Sequence, residues 1–190
     1  MDYMLDVGAR GCTGINLHGG GGNVIAAALG DKLPGARNAR DLEIAKLGTF
    51  YSPIAGNPQL GYSARPIFYG MMAVEMSAGS TLVGTELVSN GVNLTAYAGY
   101  RTDGSRIGLI NKDLQRNVVV HLRLPAGMRR VFAWRLTGPA PNATEGIRFA
   151  GAEVMPDIAA WSPRPKPLTI SRGEIAIGVR RSSAVVLTLS

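Results

Sequence analysis

His18 is the side chain in this sequence best placed to do chemistry. It follows Gly14-Ile15-Asn16-Leu17 and precedes Gly19, Gly20, Gly21 and Gly22. Ile15 and Leu17 are two apart, the spacing of a short buried strand, and His18 stands where that strand runs out. In parallel α/β folds chemistry sits at the carboxyl ends of strands. The glycines beyond let backbone or ligand come close. An imidazole there can hydrogen-bond a substrate or a catalytic carboxylate. The alternative is a histidine satisfied by the backbone of its own loop. Tyr51, in Tyr51-Ser52-Pro53-Ile54, is the second candidate. Its hydroxyl can meet a polar ligand and its ring a sugar face, or the ring can pin the loop that it closes.

Other chemistries find little support. The glycine run lacks the Gly-Lys-Ser/Thr ending of a phosphate loop and the spaced glycines of a dinucleotide site. Among 13 acidic residues no pair stands out. Glu75 falls on a predicted helix and Glu86 at a predicted strand end. Glycoside hydrolysis needs two carboxyl groups about 5–10 Å apart across one bond, and the spacing points to no such pair. A single cysteine, Cys12, excludes an internal disulfide and a cysteine metal site, and it reads as a small buried residue. No cofactor and no metal are expected. His121 lies on the polar face of a predicted strand and reads as surface.

The elements that would position His18 and Tyr51 come next. Residues 1–10 read as an amphipathic helix with Tyr3, Met4 and Val7 on one face. Residues 14–18 form the strand, and residues 19–62 a long connection with short helical turns at 24–29 and 41–47. Residues 63–78 read as a helix capped by Ser63, with Pro66 in its first turn and Gly79 ending it. Its apolar stripe is Ile67, Met71, Val74 and Ala78, with the methionines as core filler. Beyond Gly79 the period changes to alternation. Strands are expected at 81–88, 92–100, 105–111, 117–124, 130–136, 168–170, 174–177 and 184–189. The clearest is 117–124, where Val118, Val120, Leu122 and Leu124 face one way and His121 and Arg123 the other. Turn signals at 89–91, 102–104 and 125–127 separate the runs. Several short strands at this spacing indicate an antiparallel sandwich.

The 190 residues are 46% hydrophobic and 17% charged, with 25 glycines and 11 prolines, a balance that suits a turn-rich β fold. The formal net charge is +7. The basic residues are scattered in pairs such as Arg129 with Arg130 and Arg180 with Arg181. No basic helix or aromatic-studded motif accompanies them, so nucleic acid is not an expected partner. No apolar run reaches the roughly 18 residues needed to span a membrane. Asp2 and Asp6 interrupt the first segment, which does not read as a signal peptide.

The succession GINLHGGGG, YSPIAG, GYSARPIFYGMM, LINKDLQRNVVV and VMPDIAAWSP resembles the carboxyl-terminal part of glycoside hydrolase family 79, the β-glucuronidase and heparanase-like family. The resemblance runs the length of the chain, and the order and spacing of the motifs carry it. It implies a mainly β fold, an antiparallel β-sandwich preceded by the last strand and helices of a truncated (β/α)8 barrel. Residues 1–79 would hold the end of helix 7, strand 8 with its long loop, and helix 8; residues 80–190 would be the sandwich. The family is retaining and uses two glutamates on the fourth and seventh barrel strands, which would precede Met1. His18 and Tyr51 would then contribute the eighth-strand side of a sugar pocket, Tyr51 toward a uronic acid carboxylate. Asp157 and Trp161 match a family loop, with Ile158 replacing its glycine. The implied partners are a uronic-acid-containing glycan, as substrate of the parent enzyme, and the missing amino-terminal barrel portion. The alternative is a non-catalytic sandwich that binds carbohydrate or protein through Trp134, Trp161 and exposed tyrosines. A lone eighth strand leaves open edges, so residues 1–79 are expected to drive association while 80–190 stays soluble alone.

Overall fold

The computed structural model describes residues 1–17, 52–57, 61–154 and 161–190. His18, Tyr51, Asp157 and the helical turns expected at 24–29 and 41–47 lie outside the described residues. The first element is helix α1 (Asp2–Ala9). Gly11, at φ +89°, ends it: its N–H donates to Gly8 C=O at 3.0 Å, and Cys12 N–H reaches back to Val7 C=O at 3.0 Å. This paired closure needs a residue in the left-handed region, which glycine adopts without penalty. It leaves Cys12 exposed, correcting the buried placement expected for it. Residues 12–17 have no regular structure, so the strand expected at 14–18 is not formed there. A strand needs a neighbour for its backbone N–H and C=O groups, and none lies beside it among the described residues.

Strands β1 (Ile54–Asn57) and β2 (Gly61–Ala64) pair antiparallel as a hairpin inside the expected long connection. Ser63 pairs with Ala55 in this hairpin and does not cap the following helix. That helix, α2 (Pro66–Glu75), has Arg65 as its N-cap and Pro66 in its first turn. The Arg65–Pro66 step disfavours helical backbone at Arg65, which sits at φ −92° and ψ 166°. Gly79, at φ +71°, follows.

The remaining chain is all strand: β3 (Thr81–Val83), β4 (Leu94–Arg101), β5 (Gly104–Asn111), β6 (Val118–Arg123), β7 (Val131–Thr137), β8 (Arg148–Phe149), β9 (Lys166–Pro167), β10 (Glu174–Val179) and β11 (Ser183–Leu189). One seven-stranded sheet runs β3-β4-β5-β11-β7-β8, with β9 also paired to β7; β10 and β6 form a second, two-stranded layer. All these pairings are antiparallel. The expected strand at 81–88 stops at Val83, and Thr85 keeps contact with β4 through its hydroxyl, donating to Ala96 C=O at 2.9 Å. Residues 168–170 are not a strand; the pairing there is at Lys166–Pro167.

Alternation decides which side each residue serves. Val185, Leu187 and Leu189 of β11 turn toward Ile175, Ile177 and Val179 of β10 and close the sandwich core. The intervening Val186 turns the other way, where it meets Tyr69 and Ala73 of α2 and Phe149. Leu5 of α1 joins Ile110 and Ala184 on that same outer side. The large sheet is therefore buried on both faces, by strands on one and helices on the other. α2 is apolar nearly all round, so its periodicity does not choose a face. Its buried residues are Tyr69, Gly70 and Ala73, and the expected Met71 and Ala78 are exposed. The small residues let α2 approach α1: a Cβ on Gly70 would sit 3.1 Å from Met1 N. On α1 the sheet-facing residue is Leu5, while Tyr3 is 66% exposed.

The core crosses residue 79. Removing residues 1–79 would uncover Val186, Phe149, Trp134 and Leu136, all packed against or beside α2. This packing predicts that residues 80–190 alone expose an apolar sheet face, contrary to the solubility expected for them.

Candidate functional site

The two residues singled out by sequence, His18 and Tyr51, lie outside the described residues, but the segments leading to them are placed. On one side Ile15 lies with Met4, Val7, Met71 and Val74 in a groove of about 280 Å³ between α1 and α2. Met71 is two residues from both Tyr69 and Ala73, so the groove opens on the side of α2 away from the sheet. On the other side, Ser52 is 5% exposed and its hydroxyl donates to Ile54 C=O at 2.6 Å. Pro53 C=O accepts from Arg65 N–H at 2.9 Å and closes the base of the β1–β2 hairpin. The chain thus leaves for the 18–51 segment from the α1–α2 groove and returns from it at the N-terminus of α2.

That N-terminus is one wall of a cleft of about 970 Å³. Ser63, Ala64, Arg65 and Pro66 line one side, and Glu145, Glu153 and Val154 the other. Tyr69 also lines it, and its oxygen accepts a hydrogen bond from Val154 N–H at 2.9 Å. Burial raises the Tyr69 hydroxyl above its ordinary pKa, the Val154 N–H partly opposes this, and nearby Glu153 adds to the rise. It is a neutral phenol at ordinary pH. Burial lowers the Arg65 guanidinium. The cleft therefore offers a cation, carboxylates and a serine hydroxyl around an open volume, a set that suits a polar, hydroxyl-rich ligand. Arg65 and Glu153 were not picked out by sequence reasoning. The Arg65–Pro66 dipeptide was the available signal, since it marks a helix start with a charged side chain at its mouth.

Beneath the cleft, Trp134, Phe149 and Trp161 form an aromatic cluster. Phe149 stacks on Trp161 at 6.3 Å between centroids and 6° between planes, and lies 5.9 Å from Trp134. Both tryptophans are half-buried in the packing around α2, so neither is the open binding face that the module alternative requires. Their indole N–H groups have no acceptor among the described residues. His121 is exposed on β6, as its position on the polar face predicts. The described residues hold no group of three or more His, Cys, Asp or Glu that could bind a metal. None of the described helices is long and apolar enough to cross a membrane.

No family model matches the chain, and no curated protein matches it. Solved structures do. A 4-O-α-L-rhamnosyl-β-D-glucuronidase from Fusarium oxysporum 12S is similar over 67% of this chain at 22% identity, with a TM-score of 0.55. A GH51 α-L-arabinofuranosidase from Thermotoga petrophila RKU-1 is similar over 72% at 17% identity, TM-score 0.55. A GH51 arabinofuranosidase from Xanthomonas axonopodis pv. citri is similar over 74% at 15% identity, TM-score 0.52. This chain spans 30%, 31% and 29% of those chains, respectively. At these identities the likeness is one of fold: a mainly β, antiparallel sandwich of the kind that glycoside hydrolases carry.

Proposed function

We propose that this chain is the carboxyl-terminal portion of a retaining β-glucuronidase-like glycoside hydrolase. In this reading α1 ends the seventh barrel helix, α2 is the eighth helix, and the segment through residues 14–17, irregular here without a neighbouring strand, becomes the eighth strand when the rest of the barrel pairs with it. His18 and Tyr51 belong to the sugar pocket, with Tyr51 toward the uronic acid carboxylate. The sandwich is the accessory domain that packs against the barrel. The observation that carries the reading is the order and packing of three segments. α1 and α2 press one face each onto the sandwich, and between their other faces the chain through Ile15 lies in an apolar groove. An eighth strand beneath two barrel helices would occupy that place. The similarity to a rhamnosyl-glucuronidase supports the substrate class.

The two glutamates of the retaining displacement belong, in this reading, to the amino-terminal barrel portion. A displacement without nucleophile and acid loses its main chemical terms. The pure 190-residue chain is therefore expected to leave an aryl β-glucuronide intact. The same chain extended by the reading frame upstream of Met1 is expected to cleave it with retained anomeric configuration, followed by NMR. Turnover by the chain alone, or an extended chain without glycosidase activity, overturns the proposal. Within the extended enzyme, His18→Ala is expected to lower kcat/KM by roughly 100-fold, the scale of a lost charge-relevant hydrogen bond.

A further inference from the structure

Arg180 and Arg181 form the turn between β10 and β11, and the fold gives that turn a setting the sequence alone does not. They line a cleft of about 450 Å³ with Asn117, Thr137, Pro139 and Pro141. Three separate parts of the chain meet there: the residue before β6, the end of β7 with the segment that follows it, and the β10–β11 turn. The turn is held firmly. Arg181 N–H donates to Asn117 Oδ1 at 2.9 Å, Ser182 N–H to Asp113 C=O at 3.1 Å, and Ser183 Oγ to Arg180 C=O at 2.7 Å. Ser182 sits at φ +50°, a left-handed conformation that a non-glycine residue adopts only when its surroundings impose it.

The guanidinium groups at this turn are both exposed, and neither has an ion-pair partner among the described residues. Other arginines of the chain do: Arg101 and Arg106 pair with Asp103, and Arg116 with Asp113. Arg148 pairs across the ladder with Thr137, one of the cleft residues, and directly paired residues project to the same face. Asp113, whose backbone carbonyl holds the turn, has its carboxylate already engaged with Arg116.

We propose that this cleft is a non-catalytic binding site for the carboxylate groups of an acidic polysaccharide. Two guanidinium forks can take carboxylates in bidentate geometry. Asn117 and Thr137 supply an amide and a hydroxyl for ring hydroxyls, and Pro139 and Pro141 supply flat apolar walls. Among the described residues no aromatic ring lines the cleft to stack a nucleobase, which favours a glycan over nucleic acid. The site lies in the sandwich and binds whether or not the parent enzyme is a glucuronidase; only the choice of uronate as the acidic sugar rests on the preceding section.

The test is calorimetric titration of the full chain with polygalacturonate, dextran and single-stranded RNA at about 0.1 M salt, where charges beyond roughly 10 Å are screened. Polygalacturonate is expected to bind and dextran not to. Arg180→Ala/Arg181→Ala is expected to weaken binding by about tenfold, the size of two lost solvent-exposed ion pairs. Arg129→Ala/Arg130→Ala removes the same charge from another exposed loop and is expected to change affinity less than about twofold. Thermal melts confirm that both variants keep the fold. Equal losses from the two double variants, no binding of polygalacturonate, or tighter binding of RNA each overturn the proposal. An inactive extended enzyme with this pattern intact would sink the glucuronidase reading and leave the site standing.

Discussion

Asp2 ties the first helix to the sheet about a hundred residues away. Its carboxylate accepts from Thr95 Oγ1 at 2.6 Å, Tyr97 Oη at 3.0 Å and Lys112 Nζ at 2.6 Å. Burial opposes its ionisation, but these donors outweigh it and hold the carboxyl below its ordinary 3.8. A depressed carboxyl stabilises the fold above its unfolded value and loses that contribution as pH falls through the folded one. Asp2→Ala is therefore expected to cost about 1–2 kcal/mol near neutral pH, discounted for the part-exposed lysine, and progressively less as pH falls below the ordinary 3.8. Urea titrations at neutral and acid pH check this. Tyr97 is its counterpart at high pH. Burial, and then Asp2, push its phenol up to about 12 from 10.0. That contribution is present below pH 10 and is lost as pH climbs from 10.0 toward about 12. Tyr97→Phe should flatten the alkaline limb of the stability curve. Asn111 shows a different residue-scale role. It is 1% exposed, its Nδ2 donates to Arg116 C=O at 2.9 Å and Val179 C=O at 3.3 Å, and its Oδ1 accepts from Asp113 N–H at 3.1 Å. It stitches β5 to β10 and to the turn before β6, so the LINKDLQRNVVV motif reads here as scaffolding. Asn111→Ala would strand several buried partners at a cost of roughly 2–3 kcal/mol, measurable by thermal denaturation.

At the scale of elements, the strands with strict alternation were the legible ones. Val118, Val120 and Leu122 turn inward on β6 while Val119, His121 and Arg123 are exposed, because one face of that layer meets the core and the other meets water. β11 gave its position but not its double burial, since a run such as Val185-Val186-Leu187 faces two cores at once. The helix stripes were misread for a physical reason: α2 has few polar residues to mark a solvent side, and only Gly70 and Ala73 are small enough for close approach. The β1–β2 hairpin was missed because Gly56, Asn57, Gly61 and Ser63 carry little strand preference; its pairing depends on partners. Of the candidate site, the positions of His18 and Tyr51 could be named from local pattern, whereas the Arg65 and Arg180–Arg181 clefts need segments far apart in sequence to meet. The β4–β5 turn offers a sharp test. Gly104 has φ +127°, and a Cβ there would fall 2.0 Å from Leu189 C=O of β11. Gly104→Ala is expected to destabilise by ~2–4 kcal/mol, seen as a lower urea midpoint with unchanged slope.

The molecule as a whole is a sheet between two unlike covers. Tyr69 and Ala73 on one side and Ile175 and Ile177 on the other are all within 3% of full burial. Expression of residues 80–190 alone should therefore give a species that binds an apolar dye and self-associates, while the full chain binds less. Sedimentation velocity with dye titration checks this. Equal dye binding by the two would mean that the helices shield little of the sheet. Tyr69→Ala in the full chain should move it toward the truncated behaviour, at a cost of about 3–5 kcal/mol.

Strand order has a consequence for biosynthesis. β11 follows every other described strand, yet it lies between β5 and β7 in the middle of the large sheet. During translation β4 and β5 can form their hairpin early, but their inner edge waits for a partner that emerges after every other described strand. Until Ser183–Leu189 clears the ribosome, β5 and β7 each present an unpaired edge and half a core. The nascent chain is thus a client for whatever shields hydrophobic strands near the exit tunnel. Deletion of this strand should leave no partly working remnant, because the piece lost is the keystone of the sheet.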